Sequence, residues 1–463
     1  MGGLTADLNA SMQSLLAASE CMDVTTSNIA NQNTPGYVRQ TVQLQESEPS
    51  GGDGSTTGVD VASIQNTRDT VLDLSINAST AQQNFSDTVS SALGPVQTVF
   101  SDTATGSVGA TIDAFFNSLQ QLSTSPADSS LRANVLTAAG NVASAFQSTA
   151  SVITQAQQQA DQSVVQSTAT ANSLLQQIAV TNQQISTGTA LGQNVNTDQD
   201  QLANLLSQLS VIMNYQTVNS SDGLTLTTNN GTPLVVGNQA YALTNNVNSS
   251  GFNDVSAGGV DITSDISGGT LGGDIQSRDQ TLATMSSQLD QYAYQFAQAV
   301  NNVQTAGSDA NGNPGVAMFN PPDTTTGDAT GAAASIAVAL TGGSQIAAAA
   351  SGGAAGDGSN LTNMIDLQDQ SITNGTTPDE AFSDLTFSIG NTISQANSDS
   401  TATGNILTQL QNQQSSVEGV SIDQESSNLM LYERSYQAAA KVISTIDTLM
   451  GNVLDMGVTD PGY

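Results

Sequence analysis

Residues 8–31 read LNASMQSLLAASECMDVTTSNIAN and residues 422–453 read IDQESSNLMLYERSYQAAAKVISTIDTLMGNV, and these two stretches decide the fold. In both, apolar side chains recur every seven positions, the spacing of a helix that packs lengthwise against another helix. We therefore predict that the two ends of the chain pair and that the chain is one subunit of a helical assembly. The predicted interface residues are Leu4, Leu8, Leu15, Met22 and Ile29 near the start and Ile422, Leu429, Tyr432, Tyr436, Ile443, Ile446, Met450 and Val453 near the end.

Each apolar column has a companion column displaced by three or four positions. Near the start, this companion holds Ser11, Ala18 and Thr25, so the large residues of the main column are expected to supply the buried surface. Cys21 lies beside Met22 on the same helix and is expected to be a small, half-buried apolar side chain, since the chain has no second thiol.

Composition excludes most catalytic chemistry. The chain has no histidine, one cysteine and six basic residues, so histidine-based catalysis, histidine-ligated metals and an internal disulfide are all excluded. Carboxylates are plentiful, but they form no convincing catalytic constellation, and an enzyme is the weakest interpretation. The net charge of −34 argues against nucleic acid and anionic membranes as partners.

The length of 463 residues predicts more than one domain. No stretch of apolar residues is long enough for a membrane-spanning helix, so no membrane insertion is expected. The N-terminus lacks a basic start, a continuous apolar stretch and a small-residue cleavage site, and a cleaved signal peptide is therefore not expected. The chain is polar but poor in charge, which fits a secreted structural surface better than a cytosolic enzyme.

Proline and glycine mark the predicted turns and loops between the helices and strands. The first helix is predicted from Leu4 to Asn31, and Pro35 with Gly36 predicts a type II turn after it. Residues 46–58 are predicted to be a loop, and Gly94-Pro95 is predicted to interrupt a helix. One long helix is predicted from Leu131, and a stripe at 174–185 either extends or follows it. Asn230-Gly231 predicts a β-hairpin with a type I′ turn.

The predicted fold is mainly α, with paired N- and C-terminal coiled-coil helices, a long helical bundle domain and a small β-rich outer domain. Asp309-Ala310-Asn311-Gly312-Asn313 resembles the opening of a calcium loop, but Pro314 and Asn320 break the pattern, so a polar turn and no metal are expected. The predicted domains are 1–40 with 415–463 (axial coiled coil), 60–212 with 272–305 and 361–414 (helical bundle), 213–271 (β-rich), and 306–360 (a Gly/Ala/Thr-rich loop region).

The sequence also resembles a known family at both ends. Residues 26–37, TSNIANQNTPGY, are similar to the N-terminal signature of the bacterial flagellar rod, hook and hook-associated proteins. Residues 419–425, GVSIDQE, and the residues around Tyr436 and Lys441 resemble its C-terminal counterpart. Arg39-Gln40 after the turn and the helical stretch 131–187 resemble the hook-associated members more than the hook and rod proteins.

This resemblance implies a structural adaptor that joins the flagellar hook to the filament in a short junction zone. It implies an extracellular, flagellar location, reached by type III export without a cleaved signal peptide. The implied partners are further copies of the chain, the hook protein, hook-associated protein 3 and a flagellar export chaperone, and no cofactor is implied. The expected hinge or turn motif comprises Asn28, Asn31, Asn33, Pro35, Gly36, Tyr37 and Arg39.

Two other functions stay open at this point. One is a hook or distal rod protein of the same family. The other is a secreted adhesin-like surface protein, although an adhesin does not need its two ends to meet.

Overall fold

A computed structural model describes residues 2–34, 36–47, 58–100, 106–220, 223–320, 329–354, 356–372 and 375–457. The fold is mainly α with small antiparallel sheets, which confirms the predicted fold class. The helices are α1 (Gly2–Asn31), α2 (Thr70–Val99), α3 (Val108–Thr124), α4 (Ser129–Ala190), α5 (Asn196–Ile212), α6 (Gly269–Gln276), α7 (Leu282–Ala306), α8 (Ala332–Ser335), α9 (Ser359–Asp366), α10 (Pro378–Glu418) and α11 (Ile422–Gly457).

The described strands form four separate antiparallel sheets. Two of them are two-stranded (β1 with β2, β10 with β11), one has the order β3-β4-β5-β6, and one has the order β7-β8-β9. The strands are β1 (Gln40–Glu46), β2 (Val59–Asn66), β3 (Gln216–Ser220), β4 (Gly223–Thr227), β5 (Pro233–Val236), β6 (Gln239–Ala240), β7 (Leu243–Val247), β8 (Asn253–Ala257), β9 (Val260–Asp261), β10 (Gly307–Ser308) and β11 (Ala349–Ala350).

The two ends of the chain pair as predicted, with α1 lying along α11. The Asn28 side chain donates a hydrogen bond to Glu425 (3.2 Å), and Cys21 lies close enough to Tyr432 to influence its pKa. From the first of these contacts to the second, the residue number falls by seven on α1 and rises by seven on α11. The two helices therefore run antiparallel, and equal numbers of residues separate the two contacts on each helix.

A helical bundle forms the larger hydrophobic core, built from α2, α3, α4, α7, α9 and α10. Its centre is aromatic, and the ring centroids of Phe115 and Phe116 lie 6.1 Å and 6.4 Å from that of Phe296. These three side chains and Phe146 are fully buried. Edge-to-face aromatic packing of this kind favours one arrangement of the helices over others.

Helix α4 runs unbroken for 62 residues, so the stripe at 174–185 extends the predicted helix and does not form a separate one. Asp128 begins it by accepting hydrogen bonds from the Ser130 and Leu131 amides (2.7 and 3.1 Å). Its C-terminal part packs on a second apolar cluster, where Val164, Leu175 and other α4 residues contact the strands.

The predicted interruption at Gly94-Pro95 is wrong, because α2 continues to Val99. Proline removes one backbone donor from a helix, but here the flanking Leu93 and Val96 are fully buried in the bundle core. Packing on both sides of the proline therefore holds the helix together.

The hairpin at Asn230-Gly231 forms, but the predicted type I′ turn is wrong. The Gly231 amide donates to the Thr228 carbonyl (3.0 Å), which places Asn229 and Asn230 at the centre of the turn. Gly231 follows with φ +86°, and the Thr228 amide donates to the Thr232 carbonyl (2.8 Å), so three residues lie between the paired ends of the loop. This arrangement is a longer loop with a bulge, which hairpins use when glycine follows the turn.

The chain on both sides of the predicted loop at 46–58 forms the β1–β2 hairpin, which the sequence did not predict. Residues 48–57 of that loop lie outside the described residues. The strands were missed because their alternation is weak: glutamine, threonine and serine occupy many positions on both faces, and the hairpin gains order by packing against α1.

The predicted loop region 306–360 has few regular elements where it is described, yet much of it belongs to the bundle core. Met318, Phe319 and Ile346 are fully buried there. Within it, Asp309 forms the expected polar turn, accepting hydrogen bonds from the Asn311 and Asn313 amides (both 2.8 Å). The domain boundaries remain a prediction.

Candidate assembly interface

The face of α1 that contacts α11 is the companion column and its neighbours, not the predicted column of large residues. Leu4, Leu8, Leu15, Met22 and Ile29 are half-buried at the margin of the pair. Small side chains at the centre let the two helices approach closely, and the larger ones flank the contact. The buried residues of α1 are Ala17, Ala18, Cys21, Val24, Thr25 and Asn28.

On α11 the residues of the predicted seam differ in burial. Ile446 is buried, but Ile422 and Val453 are 47% and 36% exposed, so the structure does not bury these two predicted contacts. Ile422 begins α11 level with Asn31, the last residue of α1, and Val453 lies near the far end of α11, beyond the start of α1. The half-buried members are Leu429, Tyr432, Tyr436, Ile443 and Met450.

The paired helices leave a second set of apolar side chains uncovered. Met12 and Leu16 on α1 are 51% and 63% exposed, and Leu431 on α11 is 59% exposed. Val442 and Leu449 on α11 are also exposed. Exposed apolar side chains aligned in this way are typical of surfaces that contact another molecule.

A tight turn follows α1. The Tyr37 amide donates to the Thr34 carbonyl (3.1 Å), and Gly36 has φ +79°, the value for the third position of a type II turn. Pro35 lies outside the described residues. Asn31 supports the turn by accepting a hydrogen bond from the Thr34 hydroxyl (3.2 Å), whereas Asn33 is exposed.

Asn28 lies at the centre of the site, and its carboxamide makes all four of the hydrogen bonds that it can make. Its Nδ2 donates to the Gln40 carbonyl (2.9 Å) and to Glu425 Oε2 (3.2 Å). Its Oδ1 accepts from the Tyr37 hydroxyl (2.8 Å) and the Gln40 amide (2.9 Å). A buried asparagine with four satisfied bonds fixes the position of every group that it touches.

Arg39 extends this network by forming an ion pair with Glu425 of α11. Its Nε lies 2.7 Å from Glu425 Oε1, and its amide donates to the Glu418 carbonyl (3.2 Å). Glu425 is 1% exposed and the Arg39 side chain is 23% exposed, so the carboxylate of the ion pair is shielded from solvent while its cation is partly exposed. The sequence analysis did not identify Arg39 and Glu425 as partners, because a pair 386 positions apart leaves no local signal.

A second cluster, which sequence reasoning missed, centres on Arg68. Its guanidinium lies 2.7 Å from Asp73 and 2.8 Å from Asp200, and it donates to the Gly36 carbonyl (3.1 Å). Burial raises the pKa of Asp200, although Arg68 opposes this by stabilising the charged form. The cluster ties the turn after α1 to α2 and α5.

Glu418, at the end of α10, joins the two clusters. Its Oε1 accepts a hydrogen bond from the Asp69 amide (2.6 Å), and burial raises the pKa of its carboxyl. The helical bundle is therefore tied to the paired ends by polar contacts from α2, α5 and α10.

No set of three or more potential metal ligands occurs within the part of the chain that the structure describes. None of the described helices is both long enough and apolar enough to cross a membrane.

Three protein-family models match parts of the chain. The model described as "Flagellar hook-associated protein FlgK helical domain" matches residues 93–319. "Flagella basal body rod protein" matches residues 8–37, and "Flagellar basal body rod FlgEFG protein C-terminal" matches residues 413–456. All three models describe flagellar rod or hook-associated proteins, in agreement with the resemblance that the two ends of the chain carry.

Relatives within this family match over nearly the whole chain. Flagellar hook-associated protein 1 of Salmonella typhimurium is 26% identical, over 97% of this chain and 99% of that protein. The protein of the same name from Bacillus subtilis is 28% identical, over 97% and 98%. The structure of the flagellar hook junction protein FlgK from Burkholderia pseudomallei has the same fold, with a TM-score of 0.66 and 18% identity over 74% of this chain and 100% of that one.

Proposed function

We propose that this chain is the structural adaptor that joins the flagellar hook to the filament, by assembling into a short junction zone. The observation that carries the proposal is the pair of terminal helices, which meets along one face and leaves apolar side chains uncovered on the others. A subunit built in this way is suited to side-by-side assembly around an axis. The nearly full-length likeness to proteins named flagellar hook-associated protein 1 supports this function.

The proposed neighbours are the hook protein on one side and hook-associated protein 3 on the other, with further copies of the chain around the axis. Before assembly, a cytoplasmic export chaperone would cover the C-terminal helix, whose apolar residues are exposed in the single chain. The chain would leave the cell through the flagellar type III apparatus without a cleaved signal peptide. We propose no enzymatic role and no cofactor.

Labelling tests this function directly. Flagella are purified from cells that carry a small epitope inserted between residues 48 and 57, and the epitope is located by immuno-gold electron microscopy. Gold confined to the boundary between hook and filament supports the adaptor. Gold along the whole hook would indicate a hook protein, gold below it a distal rod protein, and gold on the cell surface an adhesin-like protein.

A further inference from the structure

The two outer faces of the paired helices carry opposite charge. Arg434 and Lys441 are seven positions apart on α11, exposed, and have no ion-pair partner among the described residues. No carboxylate lies three or four positions from either, so neither pairs along its own helix. They border the exposed apolar residues Leu431 and Val442.

The outer face of α1 is the complement of this surface. Residues 2–31 contain no basic residue. Glu20 and Asp23 are three positions apart on one face, so their carboxylates repel each other without compensation from their own helix. The same face carries the exposed Met12 and Leu16.

Met12 and Arg434 point directly away from the contact between α1 and α11, and Glu20 and Val442 lie at the flanks of the pair. Nine residues of an α-helix make two and a half turns. Met12 lies nine residues before the buried Cys21, and Arg434 lies nine residues after the buried Glu425. Each side chain therefore projects from the side of its helix opposite to the seam.

The two faces also lie at the same height along the pair. The register set by Asn28 with Glu425 and Cys21 with Tyr432 places residue 20 level with 433 and residue 12 level with 441. A neighbouring copy set beside this one without axial displacement would bring Arg434 to Glu20 and Val442 to Met12, within one residue, or about 1.5 Å.

We propose that the outer face of α11 in one copy docks on the outer face of α1 in the next copy, with Arg434 against Glu20 and Asp23 and Val442 against Met12. This interface rests on the proposed function and specifies how its copies meet. It is head-to-tail, so it repeats around an axis. In a chain of net charge −34, two unpaired cations beside an apolar stripe fix which faces can approach.

Cross-linking in assembled flagella tests the interface. The full chain with Met12→Cys and Val442→Cys is oxidised in purified flagella, and we expect a ladder of linked copies on a denaturing gel. A bond within one chain is excluded because Met12 points away from α11, which puts residue 442 of the same chain beyond disulfide reach. The matched control is Met12→Cys with Val417→Cys, a 51% exposed valine on α10, which should give no ladder. The wild-type chain, with its buried Cys21, is the blank.

Charge reversal tests the pairing in the same assay. Arg434→Glu in the linked variant should lower the ladder yield about tenfold, and adding Glu20→Arg should restore it. Labelled flagella with the chain at the junction but no ladder, or with a ladder unaffected by Arg434→Glu, would overturn the interface and leave the adaptor function intact. Absence of the label from the junction would instead overturn the function.

Discussion

At the scale of single residues, Gly36 controls the direction in which the chain leaves α1. Its φ of +79° lies in the region that side chains with a branched Cβ avoid. Gly36→Val should lower the free energy of unfolding by about 1–3 kcal/mol, as judged by chemical denaturation, and should weaken filament attachment in motility assays. Asparagine tolerates this conformation better, so Gly36→Asn is the matched control with a smaller loss. Normal stability and normal filaments in Gly36→Val would show that the turn does not need this conformation.

Asp274 is expected to make the stability of the fold depend on pH. It lies on α6, 7% exposed, in the wall of a cleft of about 310 Å³ between α2 and α4. Burial raises the pKa of its carboxyl to about 7, although nearby Arg278 opposes the shift. The folded state therefore holds this proton more tightly than the unfolded state, and stability should fall as pH rises from about 4 through 7.

The size of that fall follows from the shift, about 2–4 kcal/mol in the free energy of unfolding between pH 4 and 8. Urea denaturation at several pH values measures it. Asp274→Asn should remove most of the decline, whereas Asp87→Asn, at an exposed position of the same cleft, should leave it in place. Equal pH profiles for the wild type and Asp274→Asn would contradict the assignment.

At the scale of elements, the Arg39–Glu425 pair joins the start of β1 to α11. Arg39→Ala would leave the buried Glu425 carboxylate without its cation, and we expect a loss of about 1–3 kcal/mol together with faster hydrogen exchange in α11. Removing both partners should cost less than the sum of the single changes, which a double-mutant cycle reveals. Arg434→Ala, at an exposed residue of the same helix, is the control and should change stability by less than about 0.5 kcal/mol.

A buried network of this kind explains how two helices with modest apolar contact keep one register. The centre of the α1 seam consists of small and polar residues such as Ala18, Thr25 and Asn28, which supply little apolar area. The hydrogen bonds of Asn28 cannot be made in a shifted alignment, so the network selects the register where packing alone would leave it loose.

At the scale of the whole molecule, we predict that the two ends are the least protected part of the free subunit. On α1, the fully buried residues begin at Ala17, and the outer half of the helix is held by half-buried contacts. Limited proteolysis of the soluble monomer should trim the N-terminus up to about Tyr37 and the C-terminus back to about Gly419, and leave a stable middle. On α1, cleavage should begin in the residues that precede Ala17 and should reach the Asn28–Glu425 network last.

Hydrogen exchange provides the comparison between free and assembled subunits. Amides of α1 and α11 should exchange fast in the monomer and slowly in purified flagella, while those of α4 should be slow in both and serve as the internal control. Protection of both ends in the monomer would mean that the pair is stable alone and that its folding does not depend on assembly.

The sequence by itself determined the mainly helical fold, the pairing of the ends and the family, because these depend on periodic or contiguous patterns. Apolar residues repeated every seven positions on α1 and α11, and the long stripe from Leu131 gave the outline of α4. The turn after α1 was also readable, since a glycine that follows a proline permits the positive φ of a type II turn, and Gly36 has φ +79°.

The tertiary structure alone decided which residues lie inside each contact. It placed Thr25 and Asn28, not Leu8 and Leu15, on the buried face of α1, because the polar network fixes the rotation of the helix. In the folded chain, α2 continues past Pro95 and the residues around Phe319 belong to the bundle core. In both places the burial of apolar side chains outweighs the local preference for a turn or loop. The contacts of Arg39 with Glu425 and of Arg68 with Asp200 join residues more than a hundred positions apart, and only the folded chain brings such partners together.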